Sequence, residues 1–463
     1  MPILTSTSPW NGEPVASIAA CTPAEIAALM QGLSDQAASW AGNRQRTERL
    51  QALASACEMR QAAIVDLLIR EAGKNRGDAE AEAALLPKKI ALTLEHSERR
   101  TPTATGPLPA GALSAGATRV VWRPRGVAVV LGPYNFPLHL LHGLVVPALA
   151  VGCPVAAKPS ERCPALALLY RELIAAAGLD HVCAVIPGDA TVAAALIDHP
   201  ATATVAAVGS RAMALAVQQR LLQRPEMVLA LECGGINYAL VRPDADAEAA
   251  ATAIADGAWR MAGQRCTATR VVLVPAAHLD AWLLRLSRCR QHWLPGSTTL
   301  TATSAATSAA TGPMIDAHLR EQFQLPFRQL PDGLSLVAGK PEAGSNPCAC
   351  DPLLLRADDA RHPFLREERF GPHLVVCPYP DESAAIAAMQ ANPYRLSCSI
   401  FTRDDAAFAG LAAQLHYGVV NRNRPTAGAR SDLPFGGCGL SGNGRPAGIA
   451  AAAIFADETA IWS

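Results

Sequence analysis

The stretch GQRCTATR, Gly263 to Arg270, places one of thirteen cysteines directly after a Gly-Gln-Arg turn-like sequence. A cysteine in a soluble chain is most often a small buried hydrophobe. Cys266 does chemistry only if other residues bring it a base, a donor for a developing oxyanion and an acceptor for electrons. Two polar residues stand just past apolar runs elsewhere: Asn135 in GPYNFP (132–137) and Glu232 in LECGG (231–235). Each has a plain alternative. Asn135 suits a turn after Pro133, Glu232 suits a solvated strand-end carboxylate or an ion pair, and Cys233 beside it suits packing.

The elements that must position these residues change character along the chain. Residues 21–95 carry apolar side chains at three- and four-residue spacing, as in CTPAEIAALMQGL and LQALASACEMRQAAIVDLLIREAG, and predict helices. From residue 126 short apolar runs (GVAVVLG, CPVAAKP, HVCAVIPG, TATVAAVGS, EMVLALECGG) alternate with helical segments such as PALALLYRELIAAAG and RAMALAVQQRLLQ. That alternation predicts an α/β fold with a mostly parallel, doubly wound sheet, covered on both faces, whose ligand lies at the carboxyl ends of the strands. A second α/β region runs from VVLVP (271–275) to about residue 435. Between them, the Ser/Thr/Ala-rich residues 294–314 read as a surface loop. The closing IAAAAIFADETAIWS reads as an ordered strand, suited to pairing with ATRVVWRP (117–124) at an edge between subunits.

Composition excludes several classes. At 463 residues the chain exceeds one hydrophobic core and should divide into domains. Lys plus Arg equals Asp plus Glu at 40 each, so no net field draws it to nucleic acid or an anionic membrane. An odd number of irregularly spaced cysteines, after a start (MPILTSTSPW) without a basic and apolar leader, predicts a reduced cytoplasmic protein. Residues 138–157 approach membrane-spanning length, but His139, His142, Pro147 and Pro154 interrupt them, which predicts a buried helix running into a buried strand. The lone Cys348-x-Cys350 lacks a second ligand pair, so no metal site is expected.

Six motifs then occur in order: GPYNFP, KPSE (158–161), LECGG, GQRC (263–266), EERFGP (367–372) and PFGGCGLSGNGRPAG (434–448). Together they resemble the aldehyde dehydrogenase superfamily over almost the whole chain. REAGKNRGDAEAEAALLPKKIALTLEHSERRT and NRNRPTAGARSDLPFGGCGLSGNGRP further resemble the branch that oxidises a succinylated glutamate semialdehyde in arginine catabolism. The resemblance implies a Rossmann-like cofactor domain (1–104 and 125–234), a catalytic domain (235–435) and a small β oligomerisation element (105–124 and 449–463), in a homo-oligomer, dimer or tetramer. It implies that Cys266 attacks the aldehyde as thiolate, that Asn135 and the Cys266 backbone N–H hold the oxyanion, and that Glu232 is the base that hydrolyses a thioester.

For the electron acceptor the resemblance implies NAD. Lys158, Ser160 and Glu161 match the segment that holds the adenosine ribose, where a carboxylate disfavours a 2′-phosphate. Glu368 and Phe370 match residues beside the nicotinamide end, although Phe370 also suits a plain core aromatic. Gly209 and Ser210 match the phosphate loop, in which Ala207, Val208 and Ala214 replace the superfamily's Phe, Thr and Gly; upstream, Ala193 replaces another Gly, and Arg395 stands where a Gly is usual. These departures predict weakened or shifted cofactor binding. For an anionic substrate the candidates are Arg430 and Arg445, with Asn443 nearby. The altered loop also motivates an alternative from another class, a cofactor-impaired scaffold subunit. Reductive release from an acyl-CoA thioester is disfavoured, because that chemistry must avoid water and a base such as Glu232.

Overall fold

The apolar runs between residues 127 and 233 are too short and too uniformly apolar for surface helices, and they form strands. In the computed structural model, which describes residues 2–99, 118–295, 306, 309–342, 346–428 and 430–462, five of them run parallel in one sheet. Its order is 228–233, 202–209, 127–131, 155–158, 183–185, with the short antiparallel Gly442–Asn443 on the outer edge of 228–233. Every residue of Val127–Leu131 and Val155–Lys158 is buried, as a sheet covered on both faces requires. The order reverses between 127–131 and 202–209. This switch point opens a crevice at the strands' carboxyl ends.

The N-terminal helices cover this sheet. Thr22 and Glu25 form a reciprocal capping box at the start of Pro23–Gly42, whose Ile26, Met30, Leu33 and Trp40 are buried. Residues 138–157 form the buried helix His139–Val151 followed by the buried strand Val155–Lys158. His142 at its centre is satisfied by the Tyr170 hydroxyl and the Leu86 carbonyl.

A second, seven-stranded sheet has the order 334–338, 353–357, 373–379, 269–275, 237–241, 397–401, 419–422, parallel except for its first strand. The fold is thus α/β with two doubly wound bodies. A separate ribbon pairs Thr118–Pro124 antiparallel with Ala456–Trp462 within the chain. Residues 105–117 of the expected oligomerisation element lie outside the described residues.

One expectation is corrected. Residues 294–314 read as a surface loop, yet Thr311 is 4% exposed and Met314 is fully buried. Thr311 Oγ1 accepts from the Ala262 N–H at 2.7 Å, and the Ala310 carbonyl accepts from Asn75 at 2.7 Å. The small residues that looked like low complexity permit close backbone packing: a Cβ on Gly312 would overlap the Gly73 carbonyl oxygen. Residues 296–305, 307 and 308 lie outside the described residues.

Candidate active site

Cys266 sits on a short loop whose backbone is unusual. Met261 (φ 57°), Ala262 (φ 51°) and Gly263 (φ 63°) are all left-handed, just before Gln264-Arg265-Cys266. Non-glycine residues in that region carry strain that surrounding contacts must hold. Here those contacts are explicit. Arg270, fully buried, donates to the Gly263 and Gly371 carbonyls at 2.6 Å each. Gln264 Oε1 accepts from the Ile315 N–H at 3.0 Å, and Asn237 Nδ2 donates to the Cys266 carbonyl at 2.8 Å.

Glu232 approaches from the other sheet, near the end of Val228–Cys233. The Cys266 sulfur lies 3.7 Å from Glu232 Oε1. Glu232 is fully buried, and its Oε2 has no partner among the described residues. Burial pushes this carboxyl up to about 8, against a smaller opposing effect of the Cys266 thiol. Burial likewise drives the Cys266 thiol well above its ordinary value, reinforced by Glu232 and Glu368. The pair at rest is therefore a thiol beside a carboxyl that titrates near neutrality, not a preformed thiolate. Asn135 completes the group: its Nδ2 donates to the Gln264 carbonyl at 3.0 Å, leaving a second N–H on the same nitrogen.

Two cavities meet at this point. One, of about 550 Å³, follows the switch-point crevice and is lined by Asn135, Lys158, Ser160, Glu161, Gly209, Ser210, Glu368 and Phe370. The other, of about 270 Å³, lies on the opposite side. Cys266, Leu140 and Val208 border both, so the sulfur stands at the neck between them.

The expected cofactor residues thus converge on one crevice. Lys158, buried and shifted downward by desolvation, donates to the Pro159 carbonyl and lies 3.4 Å from the half-exposed Glu161. Arg162 on the same wall is tied to Asp316 and lies over the Tyr134 ring. Glu368 accepts from the Gly235 N–H at 2.9 Å; burial raises it to about 7, although Arg270 opposes this. Phe370 meets Tyr134 edge to face, with ring centroids 6.1 Å apart. Ser210 caps the helix Arg211–Arg220 by accepting from Met213 N–H. Of the altered positions, Ala193 and Val208 reach the crevice wall, whereas Ala207 and Ala214 are buried in the packing behind it. Arg395 pairs with Cys438 in a short ribbon and donates to the Gln390 carbonyl, away from both cavities.

The candidates for an anionic substrate fare differently. Arg430 reaches the rim of the smaller cavity but pairs with Asp432. Arg445 donates to the Gly418 carbonyl, and Asn443 accepts from the Leu231 N–H at 2.7 Å; neither lines either of these two cavities. Asn443 and Ser441, whose carbonyl accepts from the Cys233 N–H at 2.8 Å, instead brace the strand that carries Glu232. Three cations missed in the sequence line the smaller cavity, Lys89, Arg260 and Arg265, of which Arg260 is paired with Asp78. Lys89 falls on the buried face of its helix with Leu86, Ile90 and Thr93, and a lysine at that periodicity was the available signal.

The aldehyde dehydrogenase family model matches residues 3–460, and the chain belongs to that family, an oxidoreductase acting on aldehydes. It is 36% identical over 458 residues to N-succinylglutamate 5-semialdehyde dehydrogenase 1 of Caulobacter vibrioides, covering 97% of this chain and 94% of that relative. Among solved structures it is similar to the NADP-dependent glyceraldehyde-3-phosphate dehydrogenase of Bacillus halodurans complexed with NADP (TM-score 0.89, 25% identity, covering 100% of this chain and 96% of the other). It is also similar to a bifunctional proline utilization A protein (TM-score 0.89, 28% identity, 97% of this chain), of whose length it spans 45%.

Proposed function

We propose that this chain oxidises an anionic, amino-acid-derived semialdehyde, N-succinylglutamate 5-semialdehyde or a close analogue, to the carboxylate with NAD. The observation that carries the reading is the position of Cys266 at the neck between two cavities, 3.7 Å from Glu232.

The crevice fits a dinucleotide. It lies at the switch point, a helix N-terminus capped by Ser210 opens onto it, and the altered residues on its wall, Ala193 and Val208, leave a cavity of about 550 Å³ unfilled. This openness favours the dehydrogenase over a scaffold subunit. NAD is favoured over NADP because Glu161, a carboxylate beside Lys158 in the segment that would hold the adenosine ribose, would repel a 2′-phosphate, and Arg162 is already committed to Asp316. When bound, the dinucleotide supplies an acceptor for the hydride leaving the tetrahedral carbon.

The chain's own residues do the rest. Glu232 takes the proton of the Cys266 thiol and passes it to solvent, the sulfur bonds to the aldehyde carbon, and the carbonyl oxygen becomes an oxyanion held by Asn135 Nδ2 and the Cys266 N–H. Loss of hydride leaves a thioester on Cys266. Glu232 then takes a proton from water, whose oxygen attacks the thioester carbon; the carbon–sulfur bond breaks and the sulfur is reprotonated. The division into a cofactor domain, a catalytic domain and an oligomerising ribbon belongs to the same proposal, as does a cytoplasmic homo-oligomer. Thirteen unpaired cysteines suit a reducing compartment.

The test is a calorimetric titration with NAD and with NADP, followed by turnover of N-succinylglutamate 5-semialdehyde beside an uncharged aliphatic aldehyde. Saturable NAD binding and preferential turnover of the charged aldehyde are expected. Absence of binding at millimolar NAD would remove the cofactor assignment.

A further inference from the structure

The smaller cavity has charged walls: Asp78, Glu82, Lys89, Arg260, Arg265 and Arg430. Most of these charges are already matched. Glu82 pairs with Lys74 at 3.0 Å and accepts the N–H groups of Leu138 and His139. Asp78 pairs with Arg260 at 2.6 Å, and Arg430 pairs with Asp432 at the exposed rim. His139, also on the wall, is held neutral by burial, at about 4.

Two cations remain. Lys89 is 3% exposed, and its ammonium has one acceptor among the described residues, the Gly448 carbonyl at 2.9 Å. Arg265 is half-buried, its guanidinium makes no hydrogen bond or ion pair among the described residues, and its Nε is enclosed. Neither forms an ion pair: Asp78 and Asp256 act on Arg265 from a distance but are both paired with Arg260, and two enclosed cations with unfilled donors facing one cavity of about 270 Å³ favour an anion between them. The neighbouring walls are apolar: Leu85, Leu140, Leu144, Phe136 and Met261. An aliphatic stem suits that lining, with carboxylate at one end and aldehyde at the other.

We infer that Lys89 and Arg265 form the carboxylate-binding subsite that selects an anionic semialdehyde and directs its aldehyde end to Cys266. This rests on the oxidation proposed above and assigns its substrate selectivity to two residues. Arg265, adjacent to the nucleophile, and Lys89, on the wall shared with Gly448, hold the same carboxylate from two sides. A guanidinium offers paired donors and an ammonium a point charge, so the two can share one carboxylate between them.

The test compares kcat/KM for glutaric semialdehyde with that for pentanal, an uncharged aldehyde with the same number of carbons, in the wild type and in Lys89→Met and Arg265→Met. The ratio cancels any effect on Cys266 common to both substrates. The wild type is expected to favour the anionic aldehyde by at least tenfold, and each variant to lower that ratio at least tenfold, mainly through KM. Protection of Cys266 from iodoacetamide by glutarate, measured by intact mass, reads the same subsite without turnover and should weaken in both variants. A wild-type ratio near one removes the anionic substrate class itself. A high wild-type ratio that stays within twofold in both variants, with glutarate protection unchanged, overturns the assignment to Lys89 and Arg265 while leaving the class standing.

Discussion

The Cys266 sulfur, on the loop before strand Thr269–Pro275, stands where the two cavities join and lies 3.7 Å from the Glu232 carboxylate at the end of Val228–Cys233. An acceptor so close to the sulfur can receive a proton from the thiol in one half-reaction and from water in the other. Cys266→Ala should therefore abolish NADH formation while NAD still binds, checked by calorimetry. Glu232→Gln, nearly isosteric, should lower steady-state turnover by about 10²- to 10⁴-fold, the usual contribution of a general base. It should also accumulate an acyl adduct visible by intact mass after one turnover. Normal turnover without an adduct would remove Glu232 as the base.

The acid–base behaviour of Glu232 has a definite sign. Its carboxyl is raised to about 8 by burial, so the proton-accepting form predominates above that pH and is progressively lost below it. Decay of the preformed acyl-enzyme should accelerate as pH rises from 6 to 9, with an inflection near 8. In Glu232→Gln the inflection should vanish. A pH-independent decay in the wild type would mean that another group activates the water.

Gly263 is where the nucleophile loop tolerates least change. Its φ is 63°, and a Cβ there would overlap the Gly371 carbonyl oxygen, a rigid backbone atom. Left-handed geometry alone costs a non-glycine residue about 1–2 kcal/mol, and the collision adds to it. Gly263→Ala should therefore destabilise by more than about 2 kcal/mol in urea unfolding and displace Cys266. Gly12→Ala is the control, since Gly12 has φ 77° but nothing within 4 Å of an added Cβ. Equal losses in the two variants would show that packing against Gly371 contributes nothing.

How much of this was legible beforehand varies with the physical signal. The strand–helix alternation from 126 to 233 announced the doubly wound sheet, because covered parallel strands must be apolar on both faces. The motifs carrying Asn135, Glu232, Lys158 and Cys266 fell at strand ends or loops, where the switch-point crevice gathers them. Residues 309–314 misled because small residues serve equally for an exposed linker and for tight backbone contact; only the partners, Asn75, Gly73 and Ala262, distinguish the two. Arg265 escaped notice as a flank of the cysteine. Lys89 was hidden inside a helical run whose mean character is unremarkable. Arg445 and Asn443 were misread for a related reason: a polar side chain in a glycine-rich segment looks available until its backbone partners are seen.

Asn443 leads to a prediction that separates bracing from binding. Its Oδ1 accepts the Leu231 N–H at 2.7 Å, and the Ser441 carbonyl accepts the Cys233 N–H, so the residues on both sides of Glu232 are tied to one edge strand. Gly442 must lack a side chain between them, since a Cβ would overlap the Leu231 carbonyl oxygen. Asn443→Ala leaves a buried backbone donor without its acceptor, a loss of about 1–3 kcal/mol. The functional consequence should fall on Glu232: slower acyl-enzyme decay with an altered pH inflection, and an aldehyde KM that changes little. Asn443→Asp, which keeps an oxygen acceptor for the Leu231 N–H, should restore most of the decay rate. If Asn443 touched substrate instead, Asn443→Ala would raise KM for the anionic aldehyde and leave the decay of the acyl-enzyme untouched, and the bracing role would have to be abandoned.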